Sequence, residues 1–291
     1  MLDRIRELTT SDNATIAYRV LRGEAPRRVI VLLHGMASNM TRWSEFVEQT
    51  ALKESWDLLR PDLRGNGRSA FRGSISREAW CDDLVAILDE EGYAQAVLVG
   101  HCLGANIAIQ FAICYPERTA GLVLIEPLFP ESSVGVLKKI QSYKMLLPAL
   151  IAGIRFLNRL GLYRRYLPQL NLQELDQETR ALMASTGTPD ALVQRYTSLG
   201  FDLRFMPTAA YLQSLRELLR PLPSLAGTPF PKLLLFSIGK LFSDQEASRQ
   251  RCASLQNSET KALDSHHWIP TEKPVAMREE IERWCQKNFP S

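Results

Sequence analysis

The chain has 291 residues, 45% of them hydrophobic and 23% charged, with a net charge of +3. That composition suits a globular protein with an ordinary core, and the charge is too weak to argue for nucleic acid as a partner. The length suits one α/β core carrying an insertion rather than two large domains.

Residues 15–20 and 28–33 read as strands, the second running into His34-Gly35. Residues 57–59 read as another, leading into Pro61-Asp62-Leu63-Arg64-Gly65-Asn66-Gly67. Over residues 77–91, Trp80, Leu84, Ile87 and Leu88 share one face of an amphipathic helix. An apolar run at 94–99 precedes Gly100-His101-Cys102-Leu103-Gly104, and a helix is expected at 105–114. Residues 121–125 form a buried-type strand ending at Glu126-Pro127. Between Pro130 and Pro231 the alternation stops and apolar helical patches mix with arginines. A hundred residues without strands is too long for a loop and reads as an all-helical insertion. Strands at 232–236 and 260–263 and a helix at 277–285 close the chain. Strands alternating with helices predict a parallel sheet.

The five cysteines (Cys81, Cys102, Cys114, Cys252 and Cys285) are odd in number and irregularly spaced. They argue against a disulfide framework and for a reducing, cytoplasmic setting. Residues 1–7 hold no apolar signal core. No stretch reaches the roughly 18 apolar residues of a membrane span; residues 145–154, interrupted by Pro148, come nearest. Stable membrane insertion is therefore not expected.

The segment from Gly100 to Gly104 is the sharpest signal. Its pattern, glycine–x–nucleophile–x–glycine between a strand and a helix, is that of a tight elbow which exposes the central side chain above the sheet. Here that side chain is cysteine. The start of the following helix favours negative charge on a sulfur placed there.

With three further signatures in order, the chain resembles the α/β-hydrolase fold superfamily across nearly its whole length. They are His34-Gly35 after a strand, Asp62-x-Arg64-Gly65-x-Gly67-x-Ser69, and a late histidine before Trp-Ile-Pro. The resemblance implies a mostly parallel sheet flanked by helices. It implies a core of residues 1–129 and 231–291 with a helical cap at 130–230. It makes the backbone N–H groups of Met36 and Leu103 the oxyanion donors, which need no particular side chain. The run from His267 to Pro274 is similar to the family's Gly-His-x-x-x-x-Glu-x-Pro pattern, which makes His267 the base and puts His266 where glycine is usual. His34 and His101 sit beside structural glycines and are expected to bond locally. Asp62, Arg64 and Gly65 read as loop scaffolding.

The triad acid is the harder assignment. The family's usual site after the strand at 232–236 holds no carboxylate at the usual spacing. Asp244 comes later, where it looks like a helix N-cap. An alternative family site, as in some haloalkane dehalogenases, lies at the end of the strand before the cap, where Glu126 stands. Glu126 is the preferred acid and Asp244 the alternate. The likeness to dehalogenases ends there, because they need an aspartate nucleophile. Cys102, Leu103 and Met36 argue against dehalogenation and against epoxide opening through an aspartyl ester.

The resemblance implies an acyl hydrolase acting on an ester, lactone or thioester through an acyl-cysteine, with a Cys102–His267–Glu126 triad. Cysteine elbows also occur in dienelactone hydrolases and polyhydroxyalkanoate synthases. Leucines beside Arg155, Arg159, Arg164 and Arg165 would suit a lipophilic acyl chain on an anionic carrier, coenzyme A or an acyl carrier protein. An acyltransferase or cyclising enzyme would share every one of these residues. Carbon–carbon bond hydrolysis and a non-catalytic ligand-binding homologue are further alternatives. No metal or organic cofactor is named by the sequence, and this chemistry needs none.

Overall fold

The computed structural model describes residues 3–22, 28–188, 190–239 and 241–290. Eight strands form one sheet: β1 (Arg4–Thr9), β2 (Thr15–Leu21), β3 (Arg28–Leu33), β4 (Trp56–Pro61), β5 (Ala96–His101), β6 (Thr119–Ile125), β7 (Lys232–Ser237) and β8 (Ser258–Leu263). Their spatial order is β1-β2-β4-β3-β5-β6-β7-β8. The β1–β2 and β2–β4 pairs are antiparallel. Every pairing from β4 through β8 is parallel. This is an α/β-hydrolase fold with a mostly parallel sheet.

The central strands are apolar runs because both of their faces are covered. Period-two alternation sorts their side chains between two cores. Val29, Val31 and Leu33 of β3 pack with Trp80, Leu84 and Phe111 on one face. Ile30 and Leu32 pack with Trp43, Ile281 and Trp284 on the other. On the first face these side chains come from α2 (Arg77–Glu91) and α3 (Leu103–Cys114); on the second, Ile281 and Trp284 come from α12 (Pro274–Asn288) and Trp43 from the short 3-10 helix Met40–Trp43. Further helices complete the chain: α1 (Ser44–Gln49), α4 (Gly135–Ser142), α5 (Leu147–Arg159), α6 (Leu172–Thr186), α7 (Asp190–Tyr196), α8 (Leu199–Phe205), α9 (Thr208–Leu218), α10 (Gln245–Cys252) and α11 (Ile269–Glu272).

The sheet holds one strand that the sequence reading does not anticipate. β1, Arg-Ile-Arg-Glu-Leu-Thr, is almost wholly exposed. An edge strand with charges at half its positions carries too little apolar pattern to announce itself. The expected strands at 57–59 and 260–263 prove longer, as β4 and β8. Between β6 and β7 the described residues form helices α4 to α9 and no strand, apart from a single bridge between Ser133 and Ser243. All five cysteines are free thiols.

The parallel strands deliver their carboxyl ends to one edge of the sheet, where open α/β sheets bind ligands. β3 delivers Gly35 and Met36, β5 delivers Cys102, and β6 delivers Glu126. The turn after β8 delivers His266 and His267.

Candidate active site

Cys102 occupies the hinge between β5 and α3 with φ +53° and ψ −113°. Its N–H donates to the Ile125 carbonyl at 2.9 Å, and its own carbonyl accepts from the N–H groups of Ala105 and Asn106. The turn is possible because its flanks are glycines. A Cβ on Gly100 would meet the Gly104 carbonyl oxygen at 2.3 Å, and one on Gly104 would meet the Leu33 carbonyl oxygen at 2.4 Å. Five non-glycine residues have positive φ among those described: Asn13, Ala37, Cys102, Glu126 and Asn257. The two asparagines tolerate that region readily. The other three stand together at the sheet edge, and strained backbone gathered in one place marks a functional site.

The structure brings Cys102, His267 and Glu126 together. His267 Nδ1 donates to Glu126 Oε2 at 3.0 Å, and Cys102 stands with the same ring on the wall of one cavity. All three residues are buried. Burial works against a charge on His267, but its interactions with Cys102 and Glu126 outweigh it and push the pKa up to about 10. An imidazolium between a sulfur and a carboxylate is the state this arrangement favours.

Glu126 is itself fully engaged. Its Oε1 accepts from the Ser237 N–H, and its Oε2 accepts from Gln245 Nε2 at 2.8 Å as well as from His267. Asp244 points elsewhere. It caps α10, accepting from the N–H groups of Glu246 and Ala247 at 3.0 and 3.3 Å. Among the described residues it makes no bond to His267.

The other histidines separate cleanly. His266 turns its ring to Glu272 at 2.8 Å and is partly exposed. His34 is buried, and that burial pulls its pKa down to about 4. Its Nδ1 faces the Gly35 carbonyl, and its Nε2 accepts from the Leu63 N–H at 3.0 Å. His101 is buried and held neutral by desolvation and by the neighbouring His267. Its Nε2 donates to the His267 carbonyl at 3.1 Å, so it anchors the backbone of the histidine loop.

Met36 and Leu103 both flank the hinge. Neither N–H has a protein acceptor among the described residues, and the Leu103 N–H opens α3, where such donors lack partners within the helix. Both are therefore available to an oxygen placed beside Cys102. Asp62 and Arg64 act as scaffold. Asp62 accepts from the Met40 and Arg68 N–H groups at 2.6 and 2.7 Å, and burial lifts its pKa to about 6. Arg64 pairs with Asp83 and Asp12. Gly65 lies in the same loop with φ +91°.

A cavity of about 170 Å³ opens over Cys102 and His267. Its walls are largely apolar. Val136, Leu137 and Ile140 come from α4, while Leu215 and Leu218 come from α9. Phe242 packs edge-on against the His267 ring at 4.9 Å between centroids. Arg42 also lines it, but that guanidinium is neutralised by Asp176 and lies 5.0 Å over the Tyr196 ring. Asp202 is the remaining carboxylate on the wall, and among the described residues its side chain has no hydrogen-bond or ion-pair partner. Burial alone raises its pKa to about 7. Arg155, Arg159, Arg164 and Arg165, the residues expected to suit an anionic carrier, do not line this cavity. They lie farther along the chain, on α5 and the turn after it.

Several of these groups escape sequence reasoning. Gln245, Phe242 and the Arg42–Asp176–Tyr196 cluster are contacts between distant segments and have no local signature. Glu272 does have one, in the Glu-x-Pro of the late motif. Its buried carboxylate accepts from the N–H groups of His266, His267 and Trp268, fixing the loop that presents His267.

The family model described as the alpha/beta hydrolase fold matches residues 28–274. The chain belongs to the alpha/beta hydrolase fold family. Among curated relatives, mouse (Mus musculus) epoxide hydrolase 4 is 33% identical over 126 residues, 42% of this chain and 34% of that protein. The mouse sn-1-specific diacylglycerol lipase ABHD11 is 30% identical over 111 residues, 38% of this chain and 36% of its own length. The matched part is thus about a third of either relative. Two solved structures share the fold. A thermophilic esterase from Thermogutta terrifontis superposes with a TM-score of 0.70 at 19% identity, covering 98% of this chain and 99% of that one. The enol-lactonase from Burkholderia xenovorans gives 0.69 at 17%, covering 97% and 100%.

Proposed function

We propose that this alpha/beta hydrolase family member is a cysteine-dependent acyl hydrolase that cleaves an ester, lactone or thioester through an acyl-cysteine. The observation that carries the reading is Cys102, on a strained hinge, in line with a buried His267 that is held by Glu126. The names of its relatives and structural neighbours, a lipase, an esterase and a lactonase, agree with acyl transfer to water. An epoxide hydrolase reading is disfavoured because opening through an alkyl ester needs a carboxylate where Cys102 stands.

The sulfur of Cys102 attacks the acyl carbon, and the C=O electron pair moves onto oxygen. That oxyanion meets the N–H groups of Met36 and Leu103. Collapse expels the leaving group, which takes the proton from His267 Nε2. Water then attacks the acyl-cysteine while His267 accepts its proton. The acid leaves and the sulfur regains its resting state. Glu126 keeps Nδ1 protonated and the ring oriented throughout, so that Nε2 faces the reaction. No step calls for a metal or organic cofactor.

Residues 130–230 act in this reading as a cap over a core of 1–129 and 231–291, and the apolar side chains of α4 and α9 receive a lipophilic acyl group. The narrower version, an acyl group carried on coenzyme A or an acyl carrier protein, would bring the carrier to the arginines outside the cavity.

Intact-protein mass after brief exposure to a panel of acyl thioesters and activated esters tests the reading, with Cys102→Ala as control. An adduct confined to the parent chain supports it and identifies the acyl group. No adduct, with Cys102 also unreactive toward iodoacetamide, sinks it in favour of a ligand-binding role.

A further inference from the structure

The stretch between Glu131 and Glu174 contains seven lysines and arginines and not one acidic residue, although the whole chain carries only +3. The rest of the chain is therefore net acidic, and the positive charge is gathered in one segment. None of the seven cations forms an ion pair among the described residues. The same stretch is also the most apolar part of the surface. Met145 is 81% exposed and Tyr166 is 76% exposed.

Helix α5 explains how both properties coexist. Leu147 and Ile151 are buried and share the face that packs against α9. Leu146, Leu150, Gly153, Leu157 and Leu160 recur at helical spacing on a second stripe, which is open to solvent. One apolar face satisfies the core; a helix with two has an unmet partner. Arg155 and Arg159, one turn apart, continue the row of Leu147 and Ile151; Arg155 is half-buried, and Arg159 is exposed at the edge of the solvent-facing side. Among the described residues no helix is long and apolar enough to cross a membrane.

We propose that the outer face of residues 138–166 docks on an anionic lipid bilayer, with the exposed apolar side chains entering the interface and the cations meeting lipid headgroups. A basic, leucine-rich helical surface without acidic residues has the chemistry of an interfacial segment. A purely anionic partner would leave the apolar stripe uncovered. A purely apolar partner, such as a second copy of this face, would bring seven cations against seven. Helix α4 joins the surface to the site: Lys138 and Lys139 are exposed on it, while Leu137 and Ile140 line the cavity over Cys102. Docking there sets the cavity roof against the bilayer.

Co-sedimentation of the full chain with vesicles tests this, using phosphatidylcholine alone or with a quarter phosphatidylglycerol. The Cys102→Ala variant serves equally, because binding needs no chemistry; the result is thus separate from the fate of the acyl-cysteine. Binding should be at least ~10-fold stronger to the anionic vesicles and should weaken with added salt. Arg155→Glu with Arg159→Glu should remove most of it, as should Leu150→Asp with Leu157→Asp. Arg164→Gln with Arg165→Gln, a gentler change, should halve it or more. All three variants should keep the parent's far-ultraviolet spectrum and its Cys102 labelling rate with a soluble ester. Equal binding to both vesicle types, no binding, or binding untouched by the charge variants would overturn the proposal. So would a dimer in sedimentation equilibrium that Leu150→Asp with Leu157→Asp dissociates and anionic vesicles do not. Loss of vesicle binding in favour of an added acyl carrier protein would overturn it too.

Discussion

The sheet edge and the helical segment after β6 solve opposite problems. At the sheet edge nearly every polar group is bonded. Glu126 serves three donors, Glu272 serves three backbone N–H groups, and His101 anchors the carbonyl of His267. Strain at Cys102 and Glu126 is tolerated because the surrounding strands over-determine both positions. In α4, α5 and the turn after α5 the bonding is sparse and large apolar side chains face water. Chemistry needs atoms held to fractions of an ångström, whereas a roof over a lipophilic substrate needs apolar area and room to adjust. Substitutions at the edge should therefore act on turnover, and substitutions in the helices on binding or stability.

The largest effect is expected at Glu126. Glu126→Gln keeps the size of the side chain but removes the charge that fixes His267 in its tautomer. Acylation of Cys102, followed by intact mass against time, should slow by about 10²- to 10⁴-fold. Asp244→Asn should change it less than about 3-fold, because an asparagine caps α10 almost as well. The reverse order would return the acid to the end of β7 and remove the contrast between the two carboxylates.

This pair also shows how far the sequence was legible. β3, β5, β6 and β7 could be read because strands buried on both faces must be continuous apolar runs. Cys102 could be read because only glycine fits at 100 and 104. Glu126 and His267 were found as neighbours of a strand end and of a fixed motif. β1 could not be read, since an exposed edge strand needs no apolar pattern. The Gln245–Glu126 and Arg42–Asp176 contacts could not be read either, because each joins residues more than a hundred positions apart. The arginines after Arg155 were visible, but their direction was not. Helical spacing places Leu147 and Leu146 on adjacent faces without saying which one the core takes.

A smaller effect is expected at Glu272, which touches no reacting atom. Glu272→Gln retains one acceptor oxygen for three N–H groups and replaces the other by a donor. The loop that carries His267 should loosen. The acylation rate should fall ~10-fold with the same adduct on Cys102, and the melting temperature should drop by a few degrees as buried donors go unpaired. An unchanged rate with a lowered melting temperature would make the residue purely structural.

The pH dependence of stability separates the two regions in another way. His267 has a raised pKa in the folded chain, near 10 against 6.5 unfolded. Its contribution is complete below about pH 6.5 and is lost as pH rises toward 10. The melting-temperature difference between the parent and Glu126→Gln should accordingly be widest near pH 6.5 and close toward pH 10. A difference that stays constant over that range would mean that the His267 charge is not what Glu126 stabilises.

The smallest effect is expected from Asp202, and it falls on the roof side of the comparison. Its pKa is raised, to about 7 against 3.8, by burial without any compensating partner. The folded chain therefore holds a proton there that the unfolded chain has released, and ionising the group costs stability as pH rises from about 4 to 7. Asp202→Asn removes that cost. It should raise the melting temperature by ~2 °C at pH 8, with the gain shrinking toward pH 4. Because the carboxylate lines the cavity but is not among the hydrogen-bond partners of His267, kcat on a small activated ester should stay within about 2-fold. KM for a long apolar acyl chain should fall, since a neutral wall receives it better than a charged one. A fall in kcat with KM unchanged would place Asp202 in the chemistry and break the division between a rigid edge that reacts and an adaptable roof that binds.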